Sequence, residues 1–353
     1  MFTRANLGCI LLLAALLCSA GASAQQPNRP AQSANNAIQL DVVVTAKSGP
    51  PVTDLQQQDF TLLDNNAPQP ITSFQVVSGR QAPIEIVVVI DAVNAAHQTV
   101  AFERSQIDKF LQAEGGHLAH PVALAIFTDK GTEILGGQFS SDGNALSAAL
   151  NQEDVGLRFI QRSTGYYGAT ERLQLSLQAL NQIVDGEIPR AGRKIILWVS
   201  PGWPLLSGPN TMLDSKQQQQ IFGDIVNIST KLRQARVTLY SINPVGTSES
   251  LGRVSYYQEF VKGISKPNQV NVGNLGLQVL AVQSGGLALN LSNDVTSSLQ
   301  QCLSDAAPYY EISFNSPPAE RPNEYHRIEI KLAKSGLTAR TRQGYYAQPS
   351  PSN

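Results

Sequence analysis

The sequence is poor in cysteine, which excludes a fold held together by disulfide bonds. Three cysteines occur among 353 residues, and Cys9 and Cys18 lie in an apolar N-terminal stretch. Without that stretch Cys302 is alone, so no intrachain disulfide is available. Cys302 falls in a helical pattern, and we expect it to be a buried, unreactive side chain. With 42% apolar residues, the chain has enough hydrophobic surface to be stabilised by a core.

The chain also lacks an excess of charge of either sign. It has 26 basic and 27 acidic residues, interspersed along the sequence, for a net charge of −1. Nucleic-acid binding proteins concentrate Lys and Arg on one face, and attachment to an anionic membrane surface needs a similar cluster. We therefore expect neither a nucleic acid nor a membrane surface as the partner.

Motifs of the common enzyme classes are absent. There is no G-x-S-x-G nucleophile elbow and no glycine-rich phosphate loop followed by Lys-Ser. His117 and His120 have the spacing of a zinc pair, but Glu114 is the nearby acid, and a solvated loop pair explains them better. We expect a protein that is not an enzyme and has no catalytic residue.

The N-terminus carries the pattern of a secretory signal. Arg4 precedes an apolar stretch over residues 9–20, about 12 residues, which is too short to span a membrane comfortably. Ala22-Ser23-Ala24 fits a cleavage site, which places the cut before Gln25. We expect export to the periplasm or beyond, with no membrane span after cleavage; the alternative is a retained anchor helix.

The body of the chain alternates between buried strands and amphipathic helices. Residues 84–91, IEIVVVID, are apolar on both faces, as in a parallel strand covered by helices. Further strands and helices follow to about residue 307, and the Lys130-Gly131 turn indicates an antiparallel hairpin at one edge. The pattern predicts an α/β fold: a doubly wound, mostly parallel, Rossmann-type sheet with helices on both faces, flanked by small β segments at both ends. The predicted parts are a signal peptide (1–24), a disordered leader (25–37), a small β domain (38–80), the α/β domain (83–307), a C-terminal β segment (308–347) that could pack with 38–80, and a disordered tail (348–353).

Asp91 stands where ligands bind in folds of this class, outside the carboxyl ends of the strands. An apolar strand ending in Asp, followed by a helix and a hairpin edge, resembles the von Willebrand factor A domain. That resemblance implies a metal-ion-dependent adhesion site built from D-x-S-x-S, a threonine of a second loop and an aspartate of a third. A carboxylate here can instead cap the helix that follows.

The residues around that aspartate depart from the family's metal site. Val93 and Ala95 occupy the two serine positions, and neither side chain has an oxygen. Thr170 matches the loop threonine, with Thr164 as a rival, although Thr170 also reads as a helix N-cap. Pro201 stands where the third-loop aspartate is expected. The resemblance therefore implies a degenerate site, with no cofactor expected and a weakened Mg²⁺ or Ca²⁺ site as the alternative.

The flanking segments make the resemblance more specific. Residues 42–77 and 309–347 resemble the terminal parts of an acidobacterial von Willebrand factor A-related family of secreted proteins. The C-terminal match consists of YYEISF, HRIEIKL and a final R-x-G-Y-Y. The family implies export and a binding role without a defined ligand. The matching N-terminal positions are Gly49, Val52, Leu55, Asp59, Phe60, Ile71 and Phe74.

Two loops beside Asp91 carry candidate partner-binding residues. Tyr166 and Tyr167 precede the second-loop threonine, and Trp203 follows the fourth buried strand, so the three rings could form an apolar rim. Asn94 and Ser200 complete the predicted contact set. The alternative is that the rings pack inward beneath the loops. We expect a secreted module that binds a protein or cell-envelope partner without metal; the alternatives are a metal-dependent adhesin with a rebuilt ion site and a structural envelope component.

Overall fold

A computed structural model describes most of the chain beyond the predicted leader. The predicted signal peptide, the leader up to residue 36 and Thr164 lie outside the described residues. Ala37, which we assigned to the leader, begins the first strand. The described ranges are 37–46, 49–79, 84–152, 165–205, 212–246 and 255–349.

Strands and helices follow the predicted order closely. The strands are β1 (Ala37–Ala46), β2 (Phe60–Asp64), β3 (Ala67–Gln69), β4 (Ser73–Val77), β5 (Ile84–Asp91), β6 (His117–Thr128), β7 (Gly131–Asp142), β8 (Arg193–Val199), β9 (Val237–Ile242), β10 (Ala288–Leu289), β11 (Tyr309–Asn315), β12 (Glu324–Leu332), β13 (Leu337–Arg340) and β14 (Gly344–Ala347). The helices are α1 (His97–Gln112), α2 (Gly143–Gln152), α3 (Gly165–Glu187), α4 (Ser215–Gln234), α5 (Leu277–Gln283) and α6 (Val295–Ser304).

A six-stranded sheet forms the centre of the α/β part. Its order is β10-β9-β8-β5-β6-β7. The β5, β6, β8, β9 and β10 pairings are parallel, and only β7 runs antiparallel, paired with β6 through the Lys130-Gly131 turn. The mixed α/β class and the antiparallel edge hairpin are therefore confirmed.

Alternating side chains of β5 enter two different cores, because successive residues of a strand face opposite sides. Val87 and Val89 pack with residues of α3, α4 and α5. Val88 and Ile90 pack with residues of α1, α2 and α6, including the fully buried Cys302. Burial on both faces explains why β5 is apolar at nearly every position.

The two ends of the chain interleave in a pair of four-stranded sheets. One has the order β13-β1-β11-β4 and the other β14-β12-β2-β3, so each contains strands from both termini. Residues 37–42 of β1 pair antiparallel with residues 310–315 of β11. A third core, which includes Leu40, Leu62, Tyr310 and Phe314, draws on strands of both sheets.

Arginine side chains connect this β sandwich to the central sheet. Arg236, which follows α4, donates to Asp41 of β1 at 2.5 Å and to Glu311 of β11 at 2.7 Å. Arg340 at the end of β13 pairs with the buried Asp305. These contacts link segments far apart in sequence, and they hold the sandwich against the α/β core.

Candidate functional site

Polar residues follow three neighbouring strands at the carboxyl edge of the central sheet. Asp91 ends β5, Ser200 follows β8 and Asn243 follows β9. The backbone keeps them in one row, since Ile90 pairs with Val199 and the Ser200 amide donates to the Ile242 carbonyl at 2.9 Å. This is the edge where ligands bind in open parallel sheets.

The Asp91 carboxylate is fully buried and accepts four hydrogen bonds from the protein. Oδ1 accepts from the backbone amides of Val93 (3.0 Å) and Asn94 (2.8 Å). Oδ2 accepts from the Asn94 side-chain amide (2.8 Å) and from Nε1 of Trp198 (3.0 Å). A carboxylate has about four lone-pair positions, so its accepting capacity is filled. Asp91 therefore fixes the turn ahead of α1; the N-cap position of α1 is Ala96.

Aromatic rings enclose Asp91 from the α3 side of the sheet. Trp198 lies edge-on against Phe127 with ring centroids 5.7 Å apart, and against Trp203 at 5.2 Å. Trp203 is only 3% exposed and Ser200 is fully buried. This corrects their assignment as contact residues, because a buried side chain offers no surface to a partner. Trp203 packs inward because its ring completes the apolar cover over Trp198.

Asn94 joins the Asp91 turn to α3. The Asn94 amide donates to Asp91 and to Ser176 Oγ at 2.9 Å, and the Ser176 hydroxyl donates to the Arg172 carbonyl at 2.7 Å. Asn94 is half-buried, and its side-chain amide already donates hydrogen bonds within the protein. The middle of α3 therefore lies against the carboxyl edge of β5.

The first turns of α3 project beyond that edge. Ser176 lies beside the end of β5, while Glu187 at the end of α3 lines a cleft together with Val87 in the first half of β5. The helix thus runs opposite to the strand, and at 1.5 Å per residue Tyr167 lies about 14 Å beyond Ser176 along the axis. Tyr166 and Tyr167 are 45% and 82% exposed, with ring centroids 6.1 Å apart in an edge-on arrangement. The structure separates the two tyrosines from the aromatic rings around Asp91.

The Thr170 hydroxyl forms a hydrogen bond within its own helix. Thr170 lies within α3, which begins at Gly165, and its hydroxyl donates to the Tyr166 carbonyl at 2.9 Å. Thr170 is therefore not an N-cap, because α3 starts earlier than the sequence pattern indicated. Its bond to the carbonyl four residues earlier is common for threonine within a helix.

A buried carboxyl group on α1 is the least expected feature near the site. Glu103 is fully buried, and neither of its carboxyl oxygens has a hydrogen-bond partner among the residues that the structure describes. Burial raises the pKa of Glu103 well above its usual range, and the negative charge of Asp91 raises it further. At this position the protonated form is favoured.

These residues do not fit the divalent cation that the family resemblance implies. Such a cation needs free oxygen ligands, and both Asp91 oxygens already accept two hydrogen bonds each. Val93 and Ala95 contribute buried apolar side chains instead of hydroxyls. Within the described ranges, no group of three or more His, Cys, Asp or Glu residues could hold a metal ion.

Three residues of this site escaped sequence reasoning, although each leaves a signal. Trp198 interrupts the aliphatic run of β8, and a buried indole N–H needs an acceptor. Glu103 stands on the apolar stripe of α1 between Val100 and Ile107, at helical spacing. Ser176 is a small polar residue among the inward-facing positions of α3. In all three cases the signal is a polar group on a buried face, but the sequence does not identify the hydrogen-bond partner of that group.

Comparison with known proteins adds distant structural similarities. Human COPII-coat protein Sec24c matches at a TM-score of 0.35 and 8% identity, covering 78% of this chain and 44% of that chain. Manganese-loaded TRAP of Plasmodium vivax matches at 0.35 and 10%, covering 80% and 100%. Mussel byssus proximal thread matrix protein 1 with a zinc occupied MIDAS motif matches at 0.33 and 14%, covering 69% and 50%. This chain thus spans about half of Sec24c and of the byssus protein.

No protein-family profile matches the sequence, and no curated protein is significantly similar to it. We therefore take the fold from the strand order and cores of the chain itself. Among the helices that the structure describes, none is long and apolar enough to cross a membrane.

Proposed function

We propose that the chain is an exported von Willebrand factor A-type module that binds a protein or envelope partner without a metal ion and without catalysis. The observation that carries this proposal is the exposed tyrosine pair, Tyr166 and Tyr167, on the projecting end of α3. Tyrosines supply a large contact area at low entropic cost and are enriched in recognition surfaces. The N-terminal signal pattern supports export.

The bonding of Asp91 supports the metal-independent part of this proposal. A cation at this position would have to displace the Trp198 indole and the backbone amides that now fill the carboxylate. That exchange would leave buried donors without partners, at about 1–3 kcal/mol each. The strand order, which extends outward from β5 on both sides, supports the doubly wound arrangement of the A-type fold.

Capture of a partner from the native cell envelope tests the proposal. The mature chain from Gln25 is compared with the double variant Tyr166→Ser and Tyr167→Ser, each with and without a chelator. We expect the wild type to retain a partner in both buffers and the double variant to lose it. Ile188→Ser is the matched control, since Ile188 is 41% exposed just after the other end of α3.

Two other results of the capture experiment would each favour a different function. Capture that chelator abolishes would identify a metal-dependent adhesin. Capture that survives loss of both tyrosines would place the contact elsewhere, as expected of a structural envelope component that uses its β strands. Either result would overturn the proposal.

A further inference from the structure

Arg342 lies in a row of charged residues that crosses one sheet of the sandwich. Val43 of β1 pairs antiparallel with Arg340 of β13, and continuing this register by two residues brings Asp41 level with Arg342. On its other side Asp41 pairs with Glu311 of β11. Arg342 therefore stands in the same row as two acidic residues of neighbouring strands.

The end of α4 faces this row. Arg236, just after the helix, donates to Asp41 at 2.5 Å and to Glu311 at 2.7 Å. Arg233 is in the last turn of α4, and at 1.5 Å of rise per residue it lies about 5 Å from Arg236 along the axis. We call Arg233, Arg236 and Arg342 the arginine cluster.

A ring contact further back on α4 fixes the level of Arg233. Phe222 of α4 lies edge-on against Tyr346 of β14, with ring centroids 6.1 Å apart. From this contact Arg233 lies about 16 Å along the helix at 1.5 Å per residue. Arg342 lies about 13 Å back along the extended chain at 3.3 Å per residue. Both displacements lead toward the row of Asp41, so Arg233 and Arg342 lie at a similar level.

Three positive charges in the arginine cluster face two carboxylates, and Arg236 binds both of them. Within the described ranges, the guanidinium groups of Arg233 and Arg342 form neither a hydrogen bond nor an ion pair. Arg342 is nevertheless only 8% exposed. Arginine is rarely buried without a partner, because an unpaired charge away from water is costly. The cluster therefore lacks a counter-ion for two of its charges.

The charge state of the two arginines agrees with this arrangement. Burial lowers the pKa of Arg342 to about 10, and the positive charge of Arg233 acts in the same direction, with Asp41 acting against it. Burial also lowers the pKa of Arg233. Arg342 still carries its proton at neutral pH, so the two groups remain a pair of cations.

An anion can reach both guanidinium groups from solvent. Arg233 is half-buried, and its Nε atom is enclosed without a partner. The other guanidinium nitrogens of Arg233 and Arg342 are not among the enclosed, unbonded atoms of the described residues, so they keep contact with solvent. A guanidinium group presents its N–H groups as a planar fork that fits the oxygens of a phosphate or carboxylate. Two single positive charges balance one dianion.

We propose that the arginine cluster binds a phosphate group through Arg233 and Arg342, while Arg236 continues to bind Asp41 and Glu311. The phosphate group joins the end of α4 to the connection between β13 and β14, and so links the α/β core to the sandwich. The site lies where the chain enters β9, at the opposite edge of the central sheet from the tyrosine pair.

Titration calorimetry of the mature chain at pH 8 and constant ionic strength tests the proposal. Phosphate carries close to two negative charges at this pH. We expect inorganic phosphate to bind at least tenfold more tightly than acetate. Equal binding of phosphate and acetate, or no binding of phosphate at millimolar concentration, would overturn the proposal.

Phenyl phosphate distinguishes the source of the phosphate group. Affinity equal to that of inorganic phosphate would support a site for a phosphorylated molecule, because the ring is then tolerated. Weaker binding of phenyl phosphate would support a site for free phosphate.

Variants without one charge locate the site. Arg342→Met should reduce phosphate affinity at least tenfold, and its Tm without phosphate should equal or exceed that of the wild type, because an unpaired buried charge is removed. Arg233→Gln should also reduce phosphate affinity at least tenfold. Arg321→Gln is the control and should leave the affinity unchanged, since Arg321 is exposed between β11 and β12.

The Arg233 variant keeps the proposal falsifiable if Arg342→Met does not fold. Arg233 is half-buried at the end of a helix, and glutamine is a good helix former. Phosphate affinity that is unchanged in folded Arg233→Gln, or that falls equally in Arg321→Gln, would show that phosphate binds elsewhere and would overturn the proposal.

Discussion

Asp91 acts as a structural anchor at the carboxyl edge of the central sheet. Its carboxylate is buried, and four N–H groups of the same chain surround it. Hydrogen bonds to an ionised group are stronger than those between neutral groups. The aspartate can therefore remain buried while holding the turn, the strand β8 and, through Asn94, the helix α3 together.

Replacing this aspartate should destabilise the protein strongly. Asp91→Ala leaves four donors without an acceptor, and unpartnered buried donors cost about 1–3 kcal/mol each, so we expect the free energy of unfolding to fall by about 3 kcal/mol or more. Urea unfolding measures the change. Asp294→Ala is the control, because Asp294 caps α6 at an exposed position and should cost much less. Similar losses for the two variants would contradict the bonding described for Asp91.

Glu103 should make stability decrease as the pH rises. Burial, with a further effect of Asp91, raises its pKa in the folded state, so the folded protein holds this proton more tightly than the unfolded chain. The stabilising contribution of the protonated Glu103 is complete below the pKa that Glu103 has in the unfolded chain. It is lost as the pH rises through the pKa that Glu103 has in the folded protein.

The variant Glu103→Met isolates this contribution. We expect Glu103→Met to gain stability relative to the wild type as the pH increases from 4 to 8, as measured by urea unfolding at each pH. Glu133→Gln, at an exposed position of β7, should show the same pH dependence of the free energy of unfolding as the wild type. A constant difference between Glu103→Met and the wild type would show that Glu103 does not titrate in this range.

At the scale of elements, periodicity located most helices and strands but not every pairing partner. The helix α4 and the strand β11 each have a strong amphipathic or alternating pattern in the sequence. The end of the predicted C-terminal β segment, residues 337–347, is divided into β13 and β14, which join different sheets. Alternation determines which face a side chain occupies, whereas the partner strand depends on contacts distant in sequence.

In the candidate site, too, local patterns predicted positions in the strands but not the partners that lie far away in sequence. The position of Asp91 at the end of β5 was predictable, since an apolar run ending in an acid marks a strand edge. Its partner Trp198 lies 107 residues away, so no local pattern identifies the bond. The exposure of Tyr167 and the burial of Trp203 also depend on packing that the sequence does not display.

The start of α4 gives a prediction for a single element. Asp214 Oδ1 accepts from the Gln217 amide at 2.8 Å, and Gln217 Oε1 accepts from the Asp214 amide at 2.9 Å, which forms a capping box. Asp214→Ala should lower the free energy of unfolding by about 1 kcal/mol, whereas Asp214→Asn should have little effect, because asparagine caps equally well. Thermal and urea unfolding compare the two. An equal loss in both would show that the charge of Asp214 matters more than its capping bond.

At the scale of the whole molecule, the sandwich makes the two chain ends interdependent. Residues 309–347 supply two of the four strands in each sandwich sheet, including the fully buried Tyr310 and Phe314. A chain ending at Pro308 should therefore lose the cooperative thermal transition seen by circular dichroism. A chain ending at Pro349 should keep it. A sharp transition in the shorter chain would show that the C-terminal segment is an independent appendage.

We predict that Asp91, whose carboxylate is saturated by hydrogen bonds from its own chain, holds no metal ion. Thermal unfolding of the mature protein in chelator, and then in millimolar Mg²⁺, Ca²⁺ or Mn²⁺ at constant ionic strength, tests it most directly, because a ligand of the native state raises Tm. We predict the same Tm in all four buffers. A rise in Tm with one cation that is absent in Asp91→Asn would contradict the account.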